Sequence, residues 1–324
     1  MAPKVEKPDT PEKAVNELMV NGKTRRLTDQ QKQERKDAHC EPFMANKDVE
    51  SFVQESNVKA ILDKLLGPDK DNRKLAAYIV KKAARAFLTA VFIAADREGG
   101  IKDLQQEDFT DANLPITVKE AEDEDDTCLR VCSIGSNQTL PYFSGWREIS
   151  QDDYEKYQWA FLAPTFEEDD FSYEFHQNLR LPFVYLPNPK PDRGYFGKVL
   201  KLGLRIDHQR LTSFEMNPKS KEKHVEVAVK FMNTDNSMAN SDVKKFYERE
   251  KTTLELMRGL KDLHLIRAIA AYTKGTSRCF IFPWAEGGNL DTFWRTDQSD
   301  LDENLVRWAL DQMTGIAGGI QTSQ

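Results

Sequence analysis

Asp192-Arg193-Gly194-Tyr195-Phe196-Gly197-Lys198-Val199, followed further on by Val225-Glu226-Val227-Ala228-Val229-Lys230-Phe231-Met232, decides how this chain folds. The first stretch supplies the last two glycines, the aromatic and the valine of a G-x-G-x-x-G-x-V pattern, with Asp192 where the first glycine would stand. A backbone without Cβ can come close to phosphate oxygens and offer them its N–H groups. Phe196 can then fold over the phosphates, and Val199 can pack on a flat base. Taken alone, two glycines at this spacing read as an ordinary hairpin turn.

The second stretch is β-branched and alternating, so it predicts a strand with Val225, Val227 and Val229 on one face. Lys230 falls on the other face with Ala228. The small Ala leaves room for a base, and the ammonium reaches α- and β-phosphates but needs a carboxylate to hold it. The next helix, expected over Val243 to Leu260, should provide one. At about 100° per residue, Phe246, Glu250, Leu254 and Met257 share a face, whereas Glu248 and Glu255 point nearly the opposite way. Glu250 is the candidate. Read singly, Lys230 is equally a solvated strand lysine and Glu250 a surface acid.

His264 to Tyr272 and Arg278 to Phe282 predict two strands around a Lys274-Gly275 turn, leading into Pro283-Trp284-Ala285-Glu286-Gly287-Gly288-Asn289-Leu290. In this order the elements resemble the protein kinase family, from its glycine loop to its interlobe hinge, over about Leu181 to Ile320. The wording HLIRAIAAY followed by FIFPWAEGGNLDTFW is similar to the serine/threonine kinase-like proteins of filamentous fungi. The resemblance implies an ATP site built from Gly194, Phe196, Gly197, Val199, Ala228, Lys230 and Glu250. It makes Phe282 the gatekeeper, Pro283 to Ala285 the hinge that bonds adenine, and Asn289 a residue near the ribose. Small-molecule phosphotransferases share this layout, but the EGGNL ending and the glycine loop favour the protein-kinase branch.

Asp300 can cap a further helix with Glu303 at its third position, and Leu305, Trp308, Ala309, Met313, Ile316 and Ile320 give it an apolar stripe. By resemblance this is the first long helix of a large lobe. No H-R-D-x-x-x-x-N, D-F-G or A-P-E occurs in the 324 residues, so no catalytic residue and no metal ligand of the family can be assigned. Mg²⁺ is expected only with a complete large lobe. Two readings follow: a kinase-like polypeptide whose chain as given ends inside the large lobe and is inactive as it stands, or a non-catalytic pseudokinase scaffold that binds a protein partner. A third, an unrelated α+β interaction protein, requires the order of motifs to be accidental.

The expected fold class is α+β: an antiparallel small-lobe sheet with one helix, a mainly helical N-terminal region and a helical start of a truncated large lobe. The expected divisions are a disordered tail over 1–48, a helical module with an acidic loop and an aromatic-rich segment over 49–178, the small lobe over 179–285, and the hinge exit over 286–324. Val53, Val58, Ile61, Leu62, Leu65 and Leu66 predict a helix ended by Gly67-Pro68, and a longer one is expected from Asn72 to Arg97. The apolar Ala83 to Ala95 portion is too short to cross a bilayer, because Lys81, Lys82 and Arg85 interrupt it. Lys119 to Asp126 is close to pure charge and reads as a solvated loop. Cys128 to Ile134 is a candidate short strand. Tyr142, Phe143, Trp146, Tyr154, Tyr157, Trp159, Phe161, Phe166, Phe171, Tyr173 and Phe175 form an aromatic belt expected to pack on the back of the small lobe.

A net charge of −7 and acids among these aromatics argue against a nucleic-acid partner. Cys128 and Cys132 are the one close pair among four cysteines and make no convincing zinc site. The first residues show no apolar signal region, so the expected residence is intracellular and cytoplasmic, with the nucleus left open by Lys23-Thr24-Arg25-Arg26. The expected partners are ATP and a protein substrate or protein partner, without a membrane.

Overall fold

The structure is a computed structural model that describes residues 10–23, 27–95, 99–120, 129–136, 138–186, 192–194, 197–212, 223–232, 240–260, 262, 264–288, 295 and 303–322. It divides into two compact units. One comprises Met1–Thr165 with Asn178–Phe183, the other Phe166–Gln177 with Val184–Gln324.

In the first unit, α1 (Pro11–Leu18) starts at Thr10, whose hydroxyl accepts the Lys13 N–H. β1 (Met19–Val20) pairs antiparallel with β2 (Phe43–Met44), and α2 (Asp29–Asp37) opens on a Thr28/Gln31 capping box. The expectation of a disordered tail over 1–48 is therefore corrected from Thr10 onward. Val15, Cys40 and Phe43 are fully buried. Widely spaced apolar residues in a charged stretch suffice, because the strand pair gathers them. The cluster Lys23 to Arg26 falls mostly outside the described residues.

α3 (Asn46–Phe52), α4 (Glu55–Leu66), α5 (Asp71–Lys82) and α6 (Ala84–Phe92) supply the main core, where Val58, Leu62, Ile79, Phe87 and Leu88 are fully buried. The single helix expected from Asn72 to Arg97 is two. It breaks at Ala83, whose φ is −134° and ψ 34°. The cause is remote: the Asp111 carboxylate accepts the N–H groups of Arg85 and Ala86, each at 2.9 Å, and so caps α6. Burial pushes the Asp111 carboxyl above the ordinary range even though these donors oppose the shift. Among the described residues no helix is long and apolar enough to cross a membrane.

α7 (Asp103–Gln106) leads to the hairpin of β3 (Ile116–Glu120) and β4 (Leu129–Ser133). Cys128 and the acids from 121 to 126 lie outside the described residues. Before and within α8 (Glu148–Tyr157) part of the aromatic belt closes on itself. Tyr142 stacks on Phe109 with centroids 4.2 Å apart and donates its hydroxyl to the Gly100 carbonyl at 2.5 Å. Tyr154 donates to the Ala86 carbonyl at 3.1 Å.

Phe166, Phe171, Tyr173 and Phe175 of the belt belong to the second unit, which corrects the division expected at 178. β5 (Phe166–Glu167) and β6 (Ser172–Phe175) open this unit, and the short β7 (Phe183–Val184) lies at the division itself. Then come β8 (Asp192–Gly194), β9 (Gly197–Arg205), β10 (Gln209–Arg210), β11 (His224–Met232), α9 (Asn240–Arg258), β12 (Ala270–Lys274), β13 (Ser277–Pro283) and α10 (Glu303–Thr322). The mixed helix-and-sheet class agrees with the expectation. β8, β9, β11, β13 and β12 pair antiparallel in that order, and β6 adds a parallel strand beyond β12. The strand expected from His264 begins only at Ala270, where pairing with β13 begins.

Candidate nucleotide site

β8 and β9 form a hairpin in which Gly194 opposes Gly197. Gly197 has φ 147°, a conformation that L side chains rarely adopt and glycine takes freely. Tyr195 and Phe196, and with them the role expected of Phe196, lie outside the described residues. β11 shows the expected alternation: Val225, Val227 and Val229 are buried, while Ala228 and Lys230 are half-buried on the other face. Directly paired residues of neighbouring strands share a face. Val199 and Phe280 oppose Lys230, and Lys201 and Phe282 oppose Ala228, so these six residues line one side of the sheet.

α9 covers part of that side. Val243, Tyr247 and Leu254 are buried against Phe280 and Ala271, with the rings of Tyr247 and Phe280 5.1 Å apart. Glu250 lies between Tyr247 and Leu254 on the same stripe. Its Oε1 accepts a hydrogen bond from Lys230 Nζ at 2.6 Å, with side-chain exposures of 30% and 24%. This ammonium also stands 5.9 Å over the Phe280 ring. The expected stripe is corrected at one position. Phe246 is 43% exposed, and Tyr247 occupies the core in its place. Glu248 and Glu255 are exposed as expected, and Glu248 holds Lys251 at 2.6 Å.

At the end of β13, Phe282 is half-buried against the same cluster and Pro283 opposes Val227. The Trp284 N–H donates to the Glu226 carbonyl at 3.3 Å, so it is committed to the ladder. Proline has no N–H. Pro283 therefore offers a carbonyl alone, and Ala285 keeps its N–H. The Ala285 carbonyl also accepts the Gly288 N–H at 3.3 Å, closing a turn that exposes Ala285 to Gly288. Asn289 falls outside the described residues.

Residues 192–321 match the family model for protein tyrosine and serine/threonine kinase. This region belongs to the protein kinase-like family. No curated protein matches the chain.

In the kinase-like region the structure brings Val199, Ala228, Lys230 and Phe282 to one face of the sheet, sets Glu250 against Lys230, and puts Pro283 at the end of β13 with Ala285 just beyond it. Gly194 and Gly197 close the hairpin joined to that face. A phosphorylated adenine fits this donor set in chemistry: a cation beside glycine backbone for phosphates, apolar Val199 and Ala228 for a flat ring, and the backbone that follows β13 for its polar edge. Sequence reasoning missed Lys201, which lies beside the site, paired with Glu226 at 2.8 Å and 4.9 Å over the Trp284 ring. Its signal was parity, since Lys201 is two residues beyond Val199 and shares its face. Phe171, expected only as part of a belt on the back of the small lobe, joins the α9 cluster from outside the matched region. Among the described residues no cluster of His, Cys, Asp and Glu could hold a metal ion.

Farther along, α10 approaches His264 and Leu265 through Gly315 and Gly319; a Cβ on Gly315 would stand 2.1 Å from His264 Cε1. Of its expected apolar stripe, Trp308, Met313 and Ile316 are exposed. Asp300 and the Ile320 side chain lie outside the described residues.

Proposed function

We propose that the kinase-like region binds ATP on the Val199, Ala228 and Lys230 face, as the nucleotide-binding half of a serine/threonine-type protein kinase fold. Lys230 holds the α- and β-phosphates, and Glu250 orients its ammonium. The Gly194–Gly197 hairpin covers the phosphates with backbone N–H groups. The Pro283 carbonyl and the Ala285 backbone meet the adenine edge beside Phe282, and Asn289 meets the ribose. When bound, ATP supplies a phosphoryl group for transfer to a protein hydroxyl.

The Lys230–Glu250 contact at 2.6 Å carries this reading. A partly buried ion pair adds little net stability once its desolvation is counted, so structure alone gives little reason for a strand lysine and a helical acid to meet beside the glycine hairpin. Calorimetric titration with ATP tests it. Wild type should bind, and Lys230→Ala should bind far more weakly. Equal affinities refute the assignment.

A second reading concerns what residues 1–324 do by themselves. Their sequence contains no H-R-D-x-x-x-x-N and no D-F-G. We infer that these residues hold nucleotide without transferring phosphate, because Mg²⁺ and the substrate hydroxyl have no assigned ligand among them. Such a polypeptide serves as a nucleotide-binding scaffold for a protein partner.

A further inference from the structure

Upstream of the family match lies Phe166 to Gln177, which the contacts place wholly with the kinase-like unit. It is tied to that unit at three points. β5 pairs parallel with β10, Arg210 holds Glu167 at 3.0 Å, and the Thr212 N–H donates to Glu168 Oε2 at 2.6 Å. β6 pairs parallel with β12, and the Ala271 N–H donates to the Phe171 carbonyl at 2.7 Å. Arg258, the last residue of α9, donates to the Glu168 carbonyl at 2.5 Å and sets its guanidinium 5.7 Å over the Phe171 ring. Within the segment, the Phe166 and Tyr173 rings meet edge to face at 5.2 Å, and Tyr173 stacks on Phe175 at 5.5 Å. The Tyr173 hydroxyl accepts the Glu167 N–H at 2.9 Å. These contacts hold the loop in one shape.

Phe171 is the residue this shape delivers. Its side chain is buried in one cluster with Val243, Tyr247 and Leu254 of α9 and with Ala271 and Phe280 of the sheet. Glu250 stands on that α9 stripe, between Tyr247 and Leu254. Whatever holds the stripe against the sheet also sets the reach of Glu250 to Lys230.

We propose that Phe166–Gln177 is a built-in brace for α9, with Phe171 the positioning residue that holds Glu250 in register with Lys230. The proposal rests on the nucleotide-binding reading above. Without the wedge, α9 populates positions in which the carboxylate does not meet the ammonium. The apparent affinity for ATP then falls toward that of a protein without the pair, in step with the fraction of molecules that lose it. Phe171 touches no nucleotide group, so its whole effect on binding passes through Glu250.

The test is a double-mutant cycle on residues 1–324, read by ATP titration, with circular dichroism and thermal melting to establish folding. If the paired fraction drops to about one tenth, Phe171→Ala weakens ATP about threefold to fivefold, and never by more than Glu250→Gln does. Phe171→Leu, which keeps an apolar wedge, should restore most of the affinity, and Arg258→Gln should weaken it about threefold by releasing Glu168. In a Glu250→Gln background, Phe171→Ala should cost nothing further, because the route is already cut. A merely structural Phe171 would lower affinity equally in both backgrounds, and that result overturns the proposal. So does undiminished ATP binding by folded Phe171→Ala. Should Phe171→Ala fail to fold, Arg258→Gln decides in its place, through the same comparison with and without Glu250→Gln. Equal binding by wild type and Lys230→Ala refutes the nucleotide reading itself and removes the basis of the brace with it.

Discussion

Replacing Lys230 by alanine removes the cation that pairs with Glu250, and the expected cost can be worked from the contact. The ammonium is 24% exposed and 2.6 Å from a carboxylate that is 30% exposed, so both groups are partly screened by water. A hydrogen bond to a charged group contributes about 1.5–3 kcal/mol. Partial exposure places the lysine–phosphate contact toward the lower end. Loss of the lysine also leaves the Glu250 carboxylate facing the phosphates, which adds repulsion. Together about 2 kcal/mol is expected, or about thirtyfold in Kd. Glu250→Gln keeps the cation and removes its anchor, so its cost should be smaller, about threefold to tenfold. Glu248→Gln and Glu255→Gln alter exposed acids off the buried stripe and should change Kd by less than about twofold. Calorimetric titration of ATP into all five proteins measures the series. Unchanged affinity in Lys230→Ala refutes the site. Damage confined to Glu255→Gln refutes the assigned face of α9.

Residues 1–324, incubated with labelled ATP, Mg²⁺ and generic protein substrates, should transfer no phosphate above background; transfer abolished by Lys230→Ala would demand a base and metal ligands that the sequence does not display. Gly318→Ala should stabilise α10 by up to about 1 kcal/mol, since a Cβ there meets nothing within 4 Å. Gly315→Ala should destabilise instead, because its Cβ would enter the His264 ring at 2.1 Å, and thermal melts of the two variants must move in opposite directions. Asp111→Ala should lower unfolding free energy by about 2 kcal/mol, read from urea titrations, as it strips the cap from the Arg85 and Ala86 N–H groups.

What the sequence showed and what it hid separate by distance along the chain. The alternation of β11 and the pairing of Gly194 with Gly197 are set by neighbours in sequence, and both could be read there. Ala83, by contrast, carries no glycine or proline to mark a break. The helix ends there because a carboxylate at Asp111 arrives from 26 residues beyond Arg85. Nor does any local signal announce that Ser172 to Phe175 will pair in parallel with Ala270 to Lys274, since those residues meet only in the folded sheet. The folded tail from Thr10 has the same origin. Val15 and Met44 share one core although a charged helix separates them.

The register of α9 shows why a stripe drawn slightly wrong still identified the right acid. At about 100° per residue, Val243, Tyr247, Glu250 and Leu254 span only about 60° of the helix surface, and these are the positions that turn toward the sheet. The stripe expected from Phe246 and Met257 is rotated from this by roughly 35°. Phe246 and Tyr247 are both large and aromatic, so apolarity alone cannot choose between them. The choice falls to the partner, since Tyr247 finds Phe280 at 5.1 Å while Phe246 stays 43% exposed. Tyr247 takes this place although its buried hydroxyl has no hydrogen-bond partner, which suggests that ring packing outweighs the desolvation of one O–H. Glu250 and Leu254 belong to both stripes. Glu248 and Glu255 lie more than about 90° from the centre of either. An error of a third of a residue step therefore moves the core aromatic without moving the acid, and the Lys230–Glu250 assignment tolerates more uncertainty in phase than the packing that supports it.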